Sequence, residues 1–304
     1  MPHRINGRAN ALTVDVEDYF QVQALERVVS RDSWDSREVR VERNTDEILG
    51  IFGEAGAKAT FFILGWVARR HPDLVRRIAA AGHEVASHGL EHVRVDRHDP
   101  ASFRQDIGTT KKLLEDLAGT PVRGYRAPSF SIGRSQFWAY EVLAAEGYAY
   151  SSSVYPVRHD NYGIPDAPRT PFRPASAPTI VELTLPTLTA GGRNLPAGGG
   201  GFFRLLPYRV SRWSIARLNA SGHACIFYFH PWEIDAEQPR VGGLSAKSRF
   251  RHYVNLERTA PRLRRLVRDF RWDRLDRVHG DVLQRPDLAP VWGPVDAAAD
   301  SKAA

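Results

Sequence analysis

A regular alternation of short apolar segments with amphipathic ones constrains the fold of this chain more than any other feature. Seven of the apolar segments have the length and composition of buried strands. They span residues 11–19, 58–64, 83–89, 122–128, 148–154, 179–185 and 224–230. Segments with the apolar period of a helix lie between most of them, near residues 44–56, 65–81, 100–118, 134–146 and 207–221. Strands that alternate with helices predict an α/β protein with a largely parallel sheet.

The chain is long enough for one full hydrophobic core. Its 304 residues are 42% hydrophobic and 25% charged, as in an ordinary globular protein. We predict a single domain over residues 11–292, preceded by an N-terminal lead (1–10) and followed by a disordered tail (293–304). A stretch rich in proline and glycine, about residues 155–207, is expected to form an irregular insertion in this domain.

Targeting signals are not evident in the sequence. The N-terminal residues contain basic side chains but no apolar run behind them, which argues against a signal peptide. No segment approaches the ~18 consecutive apolar residues that a membrane span needs. The single cysteine, Cys225, excludes an internal disulfide. We therefore expect a cytoplasmic protein without a membrane span.

The net charge of +7 raises the question of a polyanionic partner. Residues 240–277 contain twelve Lys or Arg and only four Asp or Glu. Within this segment Leu263, Leu266, Val267 and Phe270 recur at the spacing of one helix face. The spacing predicts an amphipathic helix packed on the protein, with its arginines in solvent. Nucleic-acid binding is therefore not expected, whereas peripheral contact with an anionic surface stays open.

Polar side chains occur in four of the apolar segments or directly after them, where each strand is expected to end. They are Asp15, Glu17 and Asp18 in the first segment, His88 and His92 at the third, Arg126 in the fourth and His230 at the seventh. In an α/β barrel the C-terminal ends of all strands meet on one face, and that face carries the active site. We therefore expect these side chains to share one pocket.

The two histidines have a spacing suited to a metal ion. On a helical turn, His88 and His92 at i and i+4 would lie on one side. Alone, the pair is also explained by two unrelated structural histidines. Two imidazoles and one carboxylate would leave coordination positions open, as in catalytic zinc sites. A cation would also relieve the repulsion among the acids of residues 15–18, and His230 would supply a general acid.

These motifs resemble those of the polysaccharide deacetylase (NodB-homology) family. The matching segments are residues 13–18, 87–92, 126–130 and 229–230, in the family's order over about residues 10–235. The chain is most similar to the subgroup found in exopolysaccharide loci linked to exosortase and PEP-CTERM sorting, through residues 14–22, 198–207, 229–235 and 249–256. The resemblance implies a deformed (β/α) barrel of about seven parallel strands. It also implies a divalent metal, most often zinc, and hydrolysis of N-acetyl groups on amino sugars.

The resemblance assigns roles to individual residues. His88 and His92 would be metal ligands, and Arg126 would orient the aspartate that acts as the general base. His230 would protonate the departing amine. A backbone N–H near Ser129 would hold the oxyanion. Substrate contact is expected from Ser129, Phe130 and Trp232. For Trp232, stacking on a sugar ring and a place in the core stay equally open, because aromatic residues on a last barrel strand often belong to the core.

Two positions depart from the family pattern. Relatives commonly carry two adjacent aspartates on the first strand, whereas Val16 separates the acids here. One alignment makes Asp15 the base and Glu17 the ligand, on the same side of a strand. The other makes Glu17 the base and Asp18 the ligand, and we prefer the first. The second departure is Ser151, where relatives tend to carry an aspartate.

Several interpretations stay open at this point. Glu233 either lies behind His230 or caps a turn, and the glycine run 198–201 with the residues after it forms either a lid or ordinary packing. The expected substrate is an N-acetylated saccharide of an exopolysaccharide or its precursor. The alternatives are a hydrolase of small linear or cyclic amides and a non-catalytic carbohydrate-binding relative. An open groove with exposed aromatic residues would favour the saccharide, and a closed pocket the small amide.

Overall fold

The computed structural model describes residues 8–160 and 162–294. The strands are β1 (Asn10–Val16), β2 (Thr60–Ile63), β3 (Glu84–Ser87), β4 (Gly124–Tyr125), β5 (Tyr150–Ser151), β6 (Arg173–Pro174), β7 (Val181–Glu182), β8 (Thr187–Ala190), β9 (Arg193–Pro196), β10 (Ile226–Phe229), β11 (Trp272–Asp273) and β12 (Val291–Trp292). The α-helices are α1 (Val41–Ala55), α2 (Gly65–Arg70), α3 (Pro72–Ala80), α4 (Pro100–Ala118), α5 (Trp138–Ala145), α6 (Gly201–Leu205), α7 (Tyr208–Ala220), α8 (Ala246–Tyr253), α9 (Thr259–Asp269), α10 (Leu275–Val278) and α11 (Gly280–Gln284).

One parallel sheet organises the molecule. Its strand order is β10-β1-β2-β3-β4-β5-β7, and β11 also pairs with β1. Each of the seven predicted strand segments contains one strand of this order, so the predicted deformed (β/α) barrel is confirmed. The sheet joins the start of the chain to its last third in a single domain. Of the predicted lead and tail, residues 1–7 and 295–304 lie outside the described residues.

The helices pack their apolar stripes on this sheet. In α9, Leu263, Leu266 and Val267 are buried as the spacing predicted. The predicted helix over residues 65–81 is in fact two helices, because Pro72 has no backbone N–H to continue the first one. His71, which precedes the proline, has φ −127° and ψ 59° and therefore leaves the helical region. Among the described helices, none is both long enough and apolar enough to cross a bilayer.

The glycine run 198–201 helps to close the barrel. The Gly200 N–H donates to the Tyr228 carbonyl at 2.8 Å, and the Tyr228 N–H donates to the Gly198 carbonyl at 2.8 Å. A Cβ on Gly199 would lie 2.2 Å from the Tyr228 oxygen, and its φ is +105°. Only glycine allows this approach. The stretch 155–207 is therefore more ordered than the sequence predicted, and its glycines serve strand pairing along β10.

We expect Gly199→Ala to lower the free energy of unfolding by at least about 2 kcal/mol, because the new methyl group meets backbone at a strained φ. Gly50→Ala, in the middle of α1 with nothing within 4 Å of the added Cβ, is the matched control. That change should stabilise the protein by up to about 1 kcal/mol. Urea denaturation measures both. Equal effects of the two changes would contradict the proposed role of Gly199.

A buried histidine at the start of β3 makes stability depend on pH. Nδ1 of His83 accepts the Ala59 N–H at 3.0 Å, and the ring packs against Phe61. Burial, together with the positive charges of Lys58 and Arg274, lowers the pKa of His83 to about 4. The unfolded chain has an ordinary histidine with a pKa near 6.5 and therefore binds the proton first. Stability is consequently lost as the pH falls from about 6.5 to about 4.

We expect His83→Asn to reduce this loss between pH 7 and pH 4.5 by about 2 kcal/mol, since asparagine keeps an acceptor for the Ala59 N–H but does not titrate. The free energy of unfolding measured at pH 7 and pH 4.5 for both proteins tests this. The same drop in the variant as in the parent would show that His83 does not carry the effect.

Candidate active site

The structure brings the predicted polar side chains together at the C-terminal edge of the sheet. Asp15 belongs to β1 and Glu17 follows that strand directly. His88 follows β3, Arg126 follows β4 and His230 follows β10. Because β10, β1, β2, β3 and β4 are consecutive neighbours in the sheet, residues far apart in sequence converge on one site.

Three of these side chains form a possible metal site. Ligand atoms of Glu17, His88 and His92 lie within 4.8 Å of one another, and all three residues are buried. Nδ1 of His88 lies 2.8 Å from the Arg126 carbonyl oxygen, which only accepts hydrogen bonds. Nδ1 therefore carries the proton. Burial lowers the pKa of His88 to about 4, so the ring is neutral and Nε2 has a free lone pair.

The Glu17 carboxylate completes a donor set that fits a divalent cation. Burial works against its charge, but His92, His230 and His88 lower the pKa of Glu17 to about 2. Its Oε2 lies 2.9 Å from Nε2 of His92, within ion-pair distance, yet this buried oxygen makes no hydrogen bond of acceptable geometry within the described residues. Buried carboxylate oxygens rarely stay unsatisfied. A carboxylate oxygen between two imidazole nitrogens is the donor chemistry of zinc sites.

The histidines do not lie on a helical turn, contrary to the prediction. Residues 88–92 form a loop, with φ +78° at Gly89 and +54° at His92. The Asp106 carboxylate of α4 holds this loop by accepting the Leu90 N–H at 3.0 and 3.1 Å. The two imidazole centroids are 5.4 Å apart. The i, i+4 spacing thus brings the rings together through a pinned loop instead of a helix.

Asp18, the alternative ligand, is not part of this group. One carboxylate oxygen accepts the Tyr19 N–H at 2.8 Å, and the other accepts the N–H groups of Arg40 and Val41 at 2.7 and 2.9 Å. Val41 begins α1, so the carboxylate lies at a helix N-terminus, where backbone donors and the helix dipole favour negative charge. The structure therefore corrects the inclusion of Asp18 among the metal residues.

Arg126 and Asp15 form a completely buried ion pair. Nη1 of Arg126 lies 2.7 Å from Asp15 Oδ1 and 2.8 Å from Thr13 Oγ1. Its Nε donates to the Ser152 carbonyl at 3.0 Å, and the guanidinium lies 4.1 Å from the centroid of the Phe62 ring. Oδ2 of Asp15 stays directed towards His230, whose Nε2 is 3.9 Å away. The pair thus fixes the aspartate with one oxygen facing the site.

His230 lies between acids on both sides of its ring. Nδ1 is 2.7 Å from Glu233 Oε1, and Nε2 is 3.4 Å from Glu17 Oε1. Burial disfavours the charged ring, but Glu17, Glu233 and Asp15 outweigh it and raise the pKa of His230 to about 9. The imidazole is therefore protonated near neutral pH and can donate from Nε2.

The three predicted substrate contacts differ in their surroundings. Ser129 is half-buried, with φ +56°, and lines the cleft beside the site. Phe130 is buried, with its ring against those of Tyr155, Tyr162 and Tyr228.

The Trp232 ring stacks on those of His230 and His252 and is only 6% exposed. Phe130 and Trp232 therefore support the wall of the site and leave little surface for a sugar, and their contact with substrate stays a prediction.

A cleft of about 1390 Å³ adjoins the site. His92, Ser129 and Tyr228 are among its lining residues. Phe202 and Phe250 also line it, and these two side chains are 41% and 56% exposed. The cleft is thus an open groove with exposed aromatic residues.

Part of the chain matches a known protein family. The family model described as polysaccharide deacetylase matches residues 32–147. The structure resembles that of a putative polysaccharide deacetylase from Mycobacterium smegmatis, with a TM-score of 0.62 over 95% of this chain and 96% of that one, at 19% identity. The sequence of residues 32–147 is thus similar to polysaccharide deacetylases, and the whole chain shares a fold with a structure of that name. A second model, described as a domain of unknown function, matches residues 152–280.

Relatives with assigned names match shorter segments. A chitooligosaccharide deacetylase of Bradyrhizobium sp. (strain ANU 289) is 30% identical over 36% of this chain and 48% of its own length. One from Rhizobium leguminosarum bv. trifolii is 40% identical over 23% of this chain and 33% of its own length. A peptidoglycan-N-acetylglucosamine deacetylase of Bacillus cereus is 35% identical over 32% of this chain and 36% of its own length. The chain thus spans about a third to a half of these relatives.

Some residues that build the site were missed from the sequence. Ser152 accepts from Arg126 twice, through its carbonyl, which any residue type would supply, and through its hydroxyl, which accepts from Nη2 at 3.0 Å. Asp106 had a signal, because it is an acid on the buried face of α4 beside Phe103 and Ile107. An acid in an apolar helix stripe indicates a buried backbone contact or ion pair.

We expect zinc binding to separate the two candidate acids. Glu17→Gln should weaken zinc affinity by more than the roughly 10–100-fold that loss of an outer-shell partner costs. Asp18→Asn should leave zinc affinity unchanged and lower the free energy of unfolding by about 1–3 kcal/mol through its lost backbone contacts. Equilibrium dialysis with zinc and urea denaturation measure the two effects. The reverse pattern would make Asp18 the ligand.

Proposed function

We propose that this protein is a metal-dependent hydrolase that removes N-acetyl groups from amino sugars. The observation that carries the proposal is the convergence of a possible metal site with a base and an acid. Glu17, His88 and His92 lie together, with Asp15 and His230 on the same edge of the sheet. The match of residues 32–147 to the polysaccharide deacetylase model supports the same chemistry, and the named relatives are deacetylases of chitooligosaccharides and of peptidoglycan N-acetylglucosamine.

Glu17, His88 and His92 would hold the metal, with zinc as our first choice from the mixed nitrogen and oxygen donors. A divalent metal bound there polarises a carbonyl and lowers the pKa of water. A non-catalytic carbohydrate-binding relative would be expected to have lost a ligand, whereas all three positions carry donor side chains here.

The protein's own side chains would then move two protons. Asp15, fixed by Arg126 through one oxygen, takes a proton from the attacking water with the other. His230 gives its Nε2 proton to the sugar nitrogen as the carbon–nitrogen bond breaks. The products are acetate and a free amine. A backbone N–H at Ser129 is the proposed donor to the oxyanion.

The shape of the cleft favours a saccharide over a small amide. Its lining includes the exposed rings of Phe202 and Phe250, and aromatic faces suit the apolar sides of sugar rings. We propose an exopolysaccharide or its precursor as the substrate class, on the strength of the subgroup resemblance. The cytoplasmic location and the contact with an anionic surface stay expectations from the sequence.

We expect the purified protein to release acetate from N-acetylated chitooligosaccharides, and a chelator followed by zinc to abolish and restore this activity. His88→Ala should reduce acetate release to background, because a ligand is lost. Asp15→Asn should lower kcat by about 10²–10⁴-fold, as removal of a general base does. His223→Ala, at an exposed histidine outside the site, is the matched control.

No acetate with any divalent metal would overturn the proposal, provided the protein is folded. So would acetate release that His88→Ala leaves unchanged.

A further inference from the structure

The Glu233 carboxylate lies, buried, between His230 and Arg204. Its Oε1 accepts from His230 Nδ1 at 2.7 Å and from the His230 backbone N–H at 3.1 Å. Its Oε2 accepts from Arg204 Nε at 2.6 Å. Glu233 and Arg204 are only 1% and 3% exposed. The two oxygens of one carboxylate thus link an imidazole to a guanidinium.

Arg204 is fixed in turn by backbone. Its Nη1 donates to the carbonyls of His252 and Val254 at 2.9 and 3.1 Å, and its Nη2 donates to the Arg251 carbonyl at 2.9 Å. Arg204 lies in α6, directly after the glycine run that pairs with β10. The guanidinium therefore has a fixed position relative to β10, the strand that His230 follows.

This arrangement determines which nitrogen of His230 faces the site. Because a carboxylate only accepts hydrogen bonds, Nδ1 must carry a proton. The other ring nitrogen, Nε2, faces the carboxylates of the site and lies 3.4 Å from Glu17 Oε1 and 3.9 Å from Asp15 Oδ2. After His230 has given its Nε2 proton away, the neutral ring keeps the Nδ1 proton and its bond to Glu233. The same contact therefore serves both the charged and the neutral ring.

A purely structural ion pair would not need this geometry. Arginine and carboxylate pair most strongly through two parallel hydrogen bonds, whereas Glu233 gives only one oxygen to Arg204 and keeps the other for His230. Ser151, at the end of β5, offers only a hydroxyl, which bonds to Ser153 Oγ at 2.8 Å. The carboxylate that contacts Nδ1 of His230 is that of Glu233, which lies three residues later in the same turn.

We propose that Glu233 and Arg204 are positioning residues for the proton donor: Glu233 orients His230 and fixes the proton on Nδ1, and Arg204 holds Glu233 in place. This inference rests on the proposed function, because it assumes that His230 protonates a leaving nitrogen.

The test compares two substrates that differ in their need for an acid. The leaving group of an N-acetylated chitooligosaccharide is an amine, which must be protonated as it departs. The leaving group of 4-nitrophenyl acetate is a stabilised phenolate, which needs no proton. Glu233→Gln should lower kcat for acetate release from the sugar by about 10²-fold with little change in KM. Turnover of the aryl ester should change less than about threefold. His230→Ala should show the same contrast, and combining the two changes should add little.

A second variant covers the case in which Glu233→Gln fails to fold, since it leaves the Arg204 charge buried without its partner. Arg204→Met combined with Glu233→Gln removes both charges and should show the same loss on the sugar and the same sparing of the ester. Glu84→Gln is the matched control, because Glu84 is a buried glutamate at the opposite end of the sheet, bonded to Tyr150. Its two activities should change by the same factor.

Equal losses on sugar and ester in the Glu233 variants, or full activity on the sugar, would overturn the inference. Failure of the proposed function has a different signature, because the unmodified protein would then release no acetate from the sugar. Zinc content, measured for every variant, should equal that of the parent.

Discussion

The buried guanidinium of Arg126 is the interaction on which the rest of the site depends. Its side chain binds Asp15 and Thr13 in β1 and the Ser152 carbonyl after β5. Its own carbonyl fixes the ring of His88 after β3. One residue thus ties together four strand ends. A charge buried so deeply is tolerated only when it is paired and its donors are satisfied, and here they are.

The three acids at the end of β1 show how carboxylates take different roles within four positions. Asp15 faces Arg126, Glu17 faces the histidines, and Asp18 faces the N-terminus of α1. Each carboxylate is buried, so each needs its own source of positive charge or of hydrogen-bond donors. A guanidinium serves Asp15, and backbone N–H groups serve Asp18. Oε2 of Glu17 has the histidines and, in our proposal, the metal.

Much of the fold and of the site could be predicted from the sequence, because both follow from local patterns. Apolar runs identified the seven strands, and polar residues at their ends identified the face where Asp15, His88, Arg126 and His230 meet. The roles of these residues stay predictions. One failure, the single helix predicted over residues 65–81, had a local signal in Pro72, whereas others came from contacts between distant parts of the chain. The loop after His88 is set by Asp106 of a distant helix.

The sequence could not decide whether Trp232 belongs to the core or contacts a sugar. Only the tertiary structure shows that its ring stacks on that of His252. The glycine run was ambiguous for a similar reason. A close approach of two backbones cannot be distinguished from a flexible turn until the partner strand is known. In general, the pattern identified residues that face inward, and the structure was needed to say what each one faces.

In the proposed function, the two matched family models are not separate functional units. The polysaccharide deacetylase match over residues 32–147 contains His88, His92 and Arg126 but neither Asp15 nor Glu17. The proposed acid His230 lies in the match of unknown function, residues 152–280, together with its partners Glu233 and Arg204. Because β10 pairs with β1 and β1 pairs with β2, the sheet itself brings these parts together. The C-terminal match therefore contributes half of the proposed proton chemistry, and without it the possible metal site would lack the proposed acid.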